Sequence, residues 1–130
     1  MTEIRLEHVS YAYGEEKILE DINLKVTSGE VVSILGPSGV GKTTLFNLIA
    51  GILEVQSGRI VLDGEENPKG RVSYMLQKDL LLEHKTVLGN IILPLLIQKV
   101  DKAEAIARAD EILATFQLTA VRDKYPHELS

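Results

Sequence analysis

The residues whose types and spacing are most specific for chemistry are Gly36-Pro37-Ser38-Gly39-Val40-Gly41-Lys42-Thr43, which fit G-x-x-x-x-G-K-[ST] at every position. Glycines in such a loop let the backbone curl until successive N–H groups converge on one concavity, where phosphate oxygens take the place of water. Lys42 is a mobile point charge that can reach outer phosphates, and the small Thr43 hydroxyl suits a magnesium ion bridging them. Thr44 stands between two readings, a further phosphate ligand or an ordinary first-turn helix residue. Glycine-rich strand-to-helix turns that bind nothing also match the pattern, so the flanking elements decide. The apolar run Val31-Val32-Ser33-Ile34-Leu35 leads into the loop, and a helical pattern runs from Lys42 through Ala50. A strand before and a helix after is the context the motif needs, and it turns the positive end of the helix toward the same phosphates.

The elements that must hold this loop can be read outward from it. Residues 4–13 alternate as a strand, Gly14-Glu15-Glu16 makes a turn, and a second strand carries Ile18, Ile22, Leu24 and Val26. Thr27-Ser28-Gly29 then leads into a core strand over 31–35. Two turn-connected strands therefore precede the loop, whereas most small nucleotide kinases begin with it. Gly51 is placed to cap the loop helix, and Arg59-Ile60-Val61-Leu62 forms a strand ended by the hairpin pair Asp63-Gly64. An apolar strand ending in Asp can also present a magnesium-binding carboxylate. Three apolar residues are few for a central buried strand, and Gly64-Glu65-Glu66 fits an exposed hairpin, so Asp63 is read as a turn residue. Arg71 to Leu76 is a strand running into Gln77, which is either polar punctuation or, beside a phosphate loop, a group touching the metal or orienting an attacking water. Thr86 caps a helix over 87–93 that Pro94 kinks or stops. Asp101 with Glu104 opens another helix, with Ile106, Ala109, Ile112, Leu113 and Phe116 on one apolar face, and 125–130 reads as loop.

Composition narrows the classes. The 130 residues make one domain at most, long enough for a core but short for a complete nucleotide hydrolase. With 45% hydrophobic and 25% charged residues, the expectation is an ordinary soluble globular protein. The longest apolar run, Ile91 to Ile97 with Pro94 inside it, falls far short of the ~20 residues of a membrane span. Met1-Thr2-Glu3-Ile4-Arg5 has neither a basic segment nor an apolar core, so no secretory signal is expected. The absence of cysteine removes disulfides, thiolate metal sites and cysteine nucleophiles, and a cytosolic location is the default. A net charge of -5 argues against a nucleic-acid partner, which would need a basic face. His8, His84 and His127 are scattered without ligand spacing.

Taken in order, Tyr13, the loop, Asp63-Gly64, Tyr74-Met75-Leu76-Gln77, the segment Leu81 to Val87 and His127-Glu128-Leu129-Ser130 resemble the nucleotide-binding domain of an ATP-binding cassette (ABC) transporter, from about Ile4 to Ser130. The resemblance implies an α/β fold, a P-loop NTPase of the ABC ATPase type. Residues 1–77 would be an antiparallel β subdomain with the P-loop and a partial parallel core sheet, and 78–130 the Q-loop and the start of a helical subdomain. It implies that Gly36, Pro37, Ser38, Gly39, Val40, Gly41, Lys42, Thr43 and Thr44 form the Walker A loop and hold ATP with Mg2+. Gln77 would be the Q-loop glutamine, catalytic together with Lys42 and a metal contact together with Thr43. Tyr13 would stack on the adenine, a contact worth about 1–3 kcal/mol. Tyr11 competes for that role; alternation leaves both on one face, but the position of Tyr13 relative to Val9-Ser10 fits the family better. Leu129-Ser130 matches the first two residues of the signature motif, and Tyr74 to Leu82 is similar to importers of nitrate, sulfonates, taurine or pyrimidine precursors.

The rest of the signature, the Walker B aspartate, the catalytic glutamate, the D-loop and the switch histidine would all lie beyond Ser130, so the resemblance implies a truncated domain with open strand edges beside the loop. The whole protein is then expected to couple ATP binding and hydrolysis to solute import at the cytoplasmic face of the membrane. It would work as a pair with a second ATPase domain and with transmembrane permease subunits. The 130-residue chain by itself is expected to be a nucleotide-binding or structural fragment without turnover. A P-loop kinase is a third reading, which the amino-terminal strands and Gln77 disfavour.

Overall fold

The computed structural model describes residues 2–66 and 68–129, in two compact units that meet in sequence between Met75 and Leu76. The first unit is built on a long hairpin of β1 (Glu3–Tyr13) and β2 (Glu16–Thr27), turned by Gly14 at φ 60°. β3 (Ser57–Leu62) pairs with the other edge of β1, and the two-residue β4 (Glu65–Glu66) pairs with β3. The order is β2-β1-β3-β4, antiparallel throughout. Asp63 and Gly64 join β3 to β4 with φ of 53° and 84°, two successive left-handed residues as a tight hairpin requires. The Asp63 carboxylate is committed to that turn: Oδ1 accepts the Glu3 N–H at 2.8 Å, and Arg71 reaches Oδ2 at 3.4 Å while also bonding Glu65. It is a turn residue rather than a metal ligand waiting at a strand end.

The loop helix α1 (Lys42–Ile49) lays Leu45 and Leu48 on the sheet, where they are buried with Leu6, Val9, Leu19 and Ile60. Positions three apart share one helix face, so both leucines reach the same core. Gly51, at φ 70°, follows the helix and donates to the Leu48 carbonyl at 3.1 Å, the expected left-handed cap. Leu48 is only 1% exposed, and Leu48→Ala should cost about 2–5 kcal/mol of unfolding free energy in urea titrations. An unchanged midpoint would mean that α1 does not pack on the sheet.

Two expected strands are not strands. Residues 31–35 and 71–76 pair with no neighbour among the described residues, and the partial parallel core sheet is not formed as a ladder there. Val31 is 95% exposed, Leu35 91% and Met75 93%, while Ile34 alone of the first run packs against the core. An apolar run marks chain that would be buried if extended, but a strand exists only when a neighbour takes its N–H and C=O groups.

In the second unit α2 (Val87–Ile97) and α3 (Lys102–Thr115) pack together, followed by single 3-10 turns at Thr119–Val121 and Pro126–Glu128. The caps are as expected: the Thr86 hydroxyl accepts from the Gly89 N–H at 3.1 Å, and Asp101 accepts from the Ala103 N–H at 2.9 Å. Glu104 does not complete a capping box; it pairs with Arg108 one turn on. Pro94 does not end α2, which runs on to Ile97. The buried face of α3 is Ala105, Ala109 and Leu113, whereas Ile112 and Phe116 of the expected stripe lie outside. A row at spacing four with two alanines lets the facing helix approach closely, a criterion of shape that hydrophobicity alone does not carry. Residues 125–129 form a turn rather than open loop, the Glu128 carboxylate accepting the Tyr125 N–H at 2.7 Å. Asn90 ties residues 82–86 onto α2 by accepting the Leu82 N–H and donating to the carbonyls of Leu82, Lys85 and Thr86.

Candidate functional site

The glycine loop closes on itself as its sequence requires. Gly39 and Gly41 sit at φ 81° and 106°, and a Cβ on Gly36 would lie 2.9 Å from the Val40 side chain, so the two arms of the loop nearly touch. Gly41 caps α1, its carbonyl accepting the Leu45 N–H at 2.9 Å. It also rests directly on β2: an added Cβ would meet Ile18 Cγ2 at 2.9 Å, Leu19 Cδ2 at 3.1 Å and the Ile18 carbonyl at 3.2 Å. The loop is thereby seated on the sheet by the one residue type small enough to fit.

Lys42 spans the mouth of the loop, Nζ donating to the Gly36 carbonyl at 2.5 Å and the Pro37 carbonyl at 2.7 Å. Among the described residues no carboxylate pairs with it, so a full positive charge is met only by carbonyl dipoles. Such a charge attracts an anion that can offer it stronger acceptors. Residues 36–40 and Thr43 are exposed, while Thr44 is buried at 7%. Among the described residues no group of three or more His, Asp or Glu could hold a metal by itself. A hard cation at this loop would have the Thr43 hydroxyl as a side-chain donor and would need phosphate oxygens and water for the rest of its shell.

Tyr13 ends β1 and is 51% exposed. Its ring meets that of Tyr11 edge to face, centroids 5.1 Å apart and planes at 78°, and Tyr11 in turn packs on the core. The two tyrosines therefore do share a face. One residue between them, Ala12, exchanges two hydrogen bonds with the Gln56 side chain, its N–H donating to Oε1 at 2.8 Å and its carbonyl accepting from Nε2 at 3.0 Å. Gln56 attracted no notice in the sequence, and the only local signal is a polar residue just ahead of Ser57-Gly58. Carboxylates along β1 are locally neutralised: Arg59 hydrogen-bonds Glu7 at 2.5 Å and Lys25 reaches Glu3 at 2.7 Å, and each holds its partner below the usual carboxylate range. Gln77 belongs to the second unit, exposed in a bend. Leu129 is exposed, and Ser130 lies outside the described residues.

Comparison with known proteins reaches the same place from another direction. The family model described as ABC transporter matches residues 19–130. The chain is 40% identical to the spermidine/putrescine import ATP-binding protein PotA of Aggregatibacter actinomycetemcomitans, over 98% of this chain and 36% of that protein. It is 38% identical to the sulfate/thiosulfate import ATP-binding protein CysA of Thermosynechococcus vestitus, over 98% and 39%. The chain thus spans little more than a third of the length of these two curated relatives. These two are named for different cargoes at nearly equal identity, and neither name singles out the nitrate or sulfonate type. A solved ATP-binding cassette, dimeric and bound to ADP and Pi in a post-hydrolysis state, is 28% identical with a TM-score of 0.77, over 98% of this chain and 63% of that one. A closed glycine loop seated on an antiparallel hairpin, in a chain matched over 19–130 by that model, leaves one assignment: the chain belongs to the ABC transporter family.

Proposed function

We propose that this chain supplies the nucleotide-gripping part of the ATP-binding subunit of an ABC importer. One observation carries the reading: the Lys42 ammonium lies across the mouth of an exposed glycine loop at the start of α1, donating to the carbonyls of Gly36 and Pro37 and, among the described residues, paired with no carboxylate. In this proposal Gly36 to Thr43 wrap the phosphates with backbone N–H groups and Lys42 exchanges the two carbonyls for phosphate oxygens. Thr43 takes the magnesium ion, buried Thr44 closes the loop from below, and Tyr13 offers its exposed face to the base. Gln77 would sense the metal or the attacking water. Residues 1–77 act as the β subdomain with the phosphate loop, and 78–130 as the Q-loop and the start of a helical subdomain. In the whole protein, ATP would draw two such domains together and hydrolysis release them, driving permease subunits from the cytoplasmic side of the membrane. No helix among the described residues is long and apolar enough to span a membrane. The relatives named above are ATP-binding proteins of importers, which supports import over export.

Calorimetry with magnesium-ATP and magnesium-tripolyphosphate tests the site in two halves. Both should bind the chain, ATP more tightly. Tyr13→Leu should weaken ATP by about 5- to 150-fold, the equivalent of about 1–3 kcal/mol of base stacking, and leave tripolyphosphate unchanged. Equal binding of the two ligands by the parent chain would remove Tyr13 from the site.

A further inference from the structure

We propose that Gln56 is a positioning residue for nucleotide binding, its side-chain amide fixing the end of β1 so that Tyr13 is presented to the base. The inference rests on the nucleotide reading of the loop and Tyr13 given above, and adds to it a residue outside both.

The need for such a residue is visible in the sheet. The β1–β3 ladder ends at Ser10 opposite Ser57, while β1 runs three residues further to Tyr13 with only β2 beside it. That end of β1 is also irregular, with register shifts between Val9 and Tyr11 and between Tyr11 and Ala12. A strand end paired on one side, and broken in register twice, has little to define where its last side chain points. Gln56 supplies the missing definition. A side-chain amide carries the same donor and acceptor as a peptide group, and Gln56 uses both on Ala12, at 2.8 and 3.0 Å. Two residues exchanging both bonds are what a hydrogen-bonded antiparallel pair consists of, so Gln56 adds one rung to β1 beyond the end of β3.

The rung falls between the two tyrosines. Tyr11 is half-buried against the core and Tyr13 meets it edge to face, so with Ala12 clamped the Tyr13 ring is held from both its backbone and its flank. The position also matters relative to the loop. Gly41 rests on Ile18, and Glu16, the partner of Tyr13, lies two residues along β2, about 7 Å by strand rise. A ribose with its first phosphates spans a separation of that order. Small rotations of the β1 end would therefore move the ring off the base without disturbing the phosphates.

The expected signature is a split between ligands. Gln56→Leu keeps the bulk and removes both bonds. It should weaken magnesium-ATP about fivefold, through lost order of the stacking ring, and leave magnesium-tripolyphosphate unchanged. Amide exchange at Ala12 should accelerate while Leu6 and Ile60 stay protected, which separates a local release from unfolding. A Gln56→Leu variant that binds both ligands as the parent does, or loses both in equal measure, would overturn the inference, as would an Ala12 amide that exchanges no faster. Should the parent chain itself fail to bind tripolyphosphate, the loop reading falls and takes this one with it; parent binding with no ligand split in the variant removes Gln56 alone.

Discussion

Gly58→Ala should destabilise the first unit by at least about 3 kcal/mol, whereas Gly64→Ala, at nearly the same backbone angle, should cost about 1 kcal/mol. Both glycines are left-handed, at φ 77° and 84°. They differ in what a side chain would meet. At Gly64 there is nothing within 4 Å, so alanine brings only its own conformational strain. At Gly58 a Cβ would stand 2.3 Å from the His8 carbonyl oxygen and 2.4 Å from that of Glu7, both rigid backbone of the neighbouring strand. The cause lies in β1. His8 is itself left-handed at φ 53°, in the irregularity between Leu6 and Val9, and its amide is held there by the Asn23 side chain at 2.9 Å. Asp21 opposite is left-handed as well, at φ 49°, its amide held by the Ser10 hydroxyl and its carboxylate by the His8 ring at 2.7 Å. The bulge pushes backbone against residue 58, and only a missing side chain leaves room. Forcing the strands apart would open the pair that buries Leu6, Val9 and Ile60. Urea unfolding of the two variants side by side is the check; equal losses would mean that the bulge yields and the clash does not matter.

Lys42→Ala should lower magnesium-ATP affinity about a hundredfold, from about 3 kcal/mol of charge-assisted bonding to phosphate, with little change in unfolding midpoint. The two carbonyls that Nζ occupies, those of Gly36 and Pro37, belong to an exposed loop and can turn to water once the ammonium is gone, so the fold has no other need of the charge. Lys42→Arg should fare nearly as badly, because a planar fork does not replace a compact point charge between two converging oxygens. Calorimetry separates the cases. Affinity kept in Lys42→Ala would mean that backbone N–H groups and the helix end bind the anion unaided, and that the lysine serves only to hold the empty loop closed.

Both predictions start from glycines and a lysine that the sequence displays openly, yet they differ in how far the sequence could carry them. Lys42 was legible because its chemistry is local: eight consecutive residues contain the loop, its charge and its hydroxyl, and the helix that follows is continuous with them. The β1–β2 hairpin, the Asp63-Gly64 turn and the caps at Thr86 and Asp101 were legible for the same reason, each being settled by residues within a few positions of one another.

What escaped the sequence is what depends on a neighbour distant along the chain. Residues 31–35 and 71–76 have the composition of strands, but pairing is a property of two segments, and among the described residues neither finds a second. The buried row of α3 is chosen by how closely its partner helix can approach, which favours Ala105 and Ala109 over the larger Ile112 and Phe116. Gly58 becomes irreplaceable only when a bulge in β1, fifty residues earlier, is laid across it, and Gln56 acquires a role only when Ala12 comes within reach of its amide. The sequence by itself determined the closed shape of the glycine loop and which residues are proposed to touch phosphate, because such a loop is a local backbone shape written in glycine. The tertiary structure decided which strands exist and what holds Tyr13 in place, because those depend on groups brought together from opposite ends of the first unit.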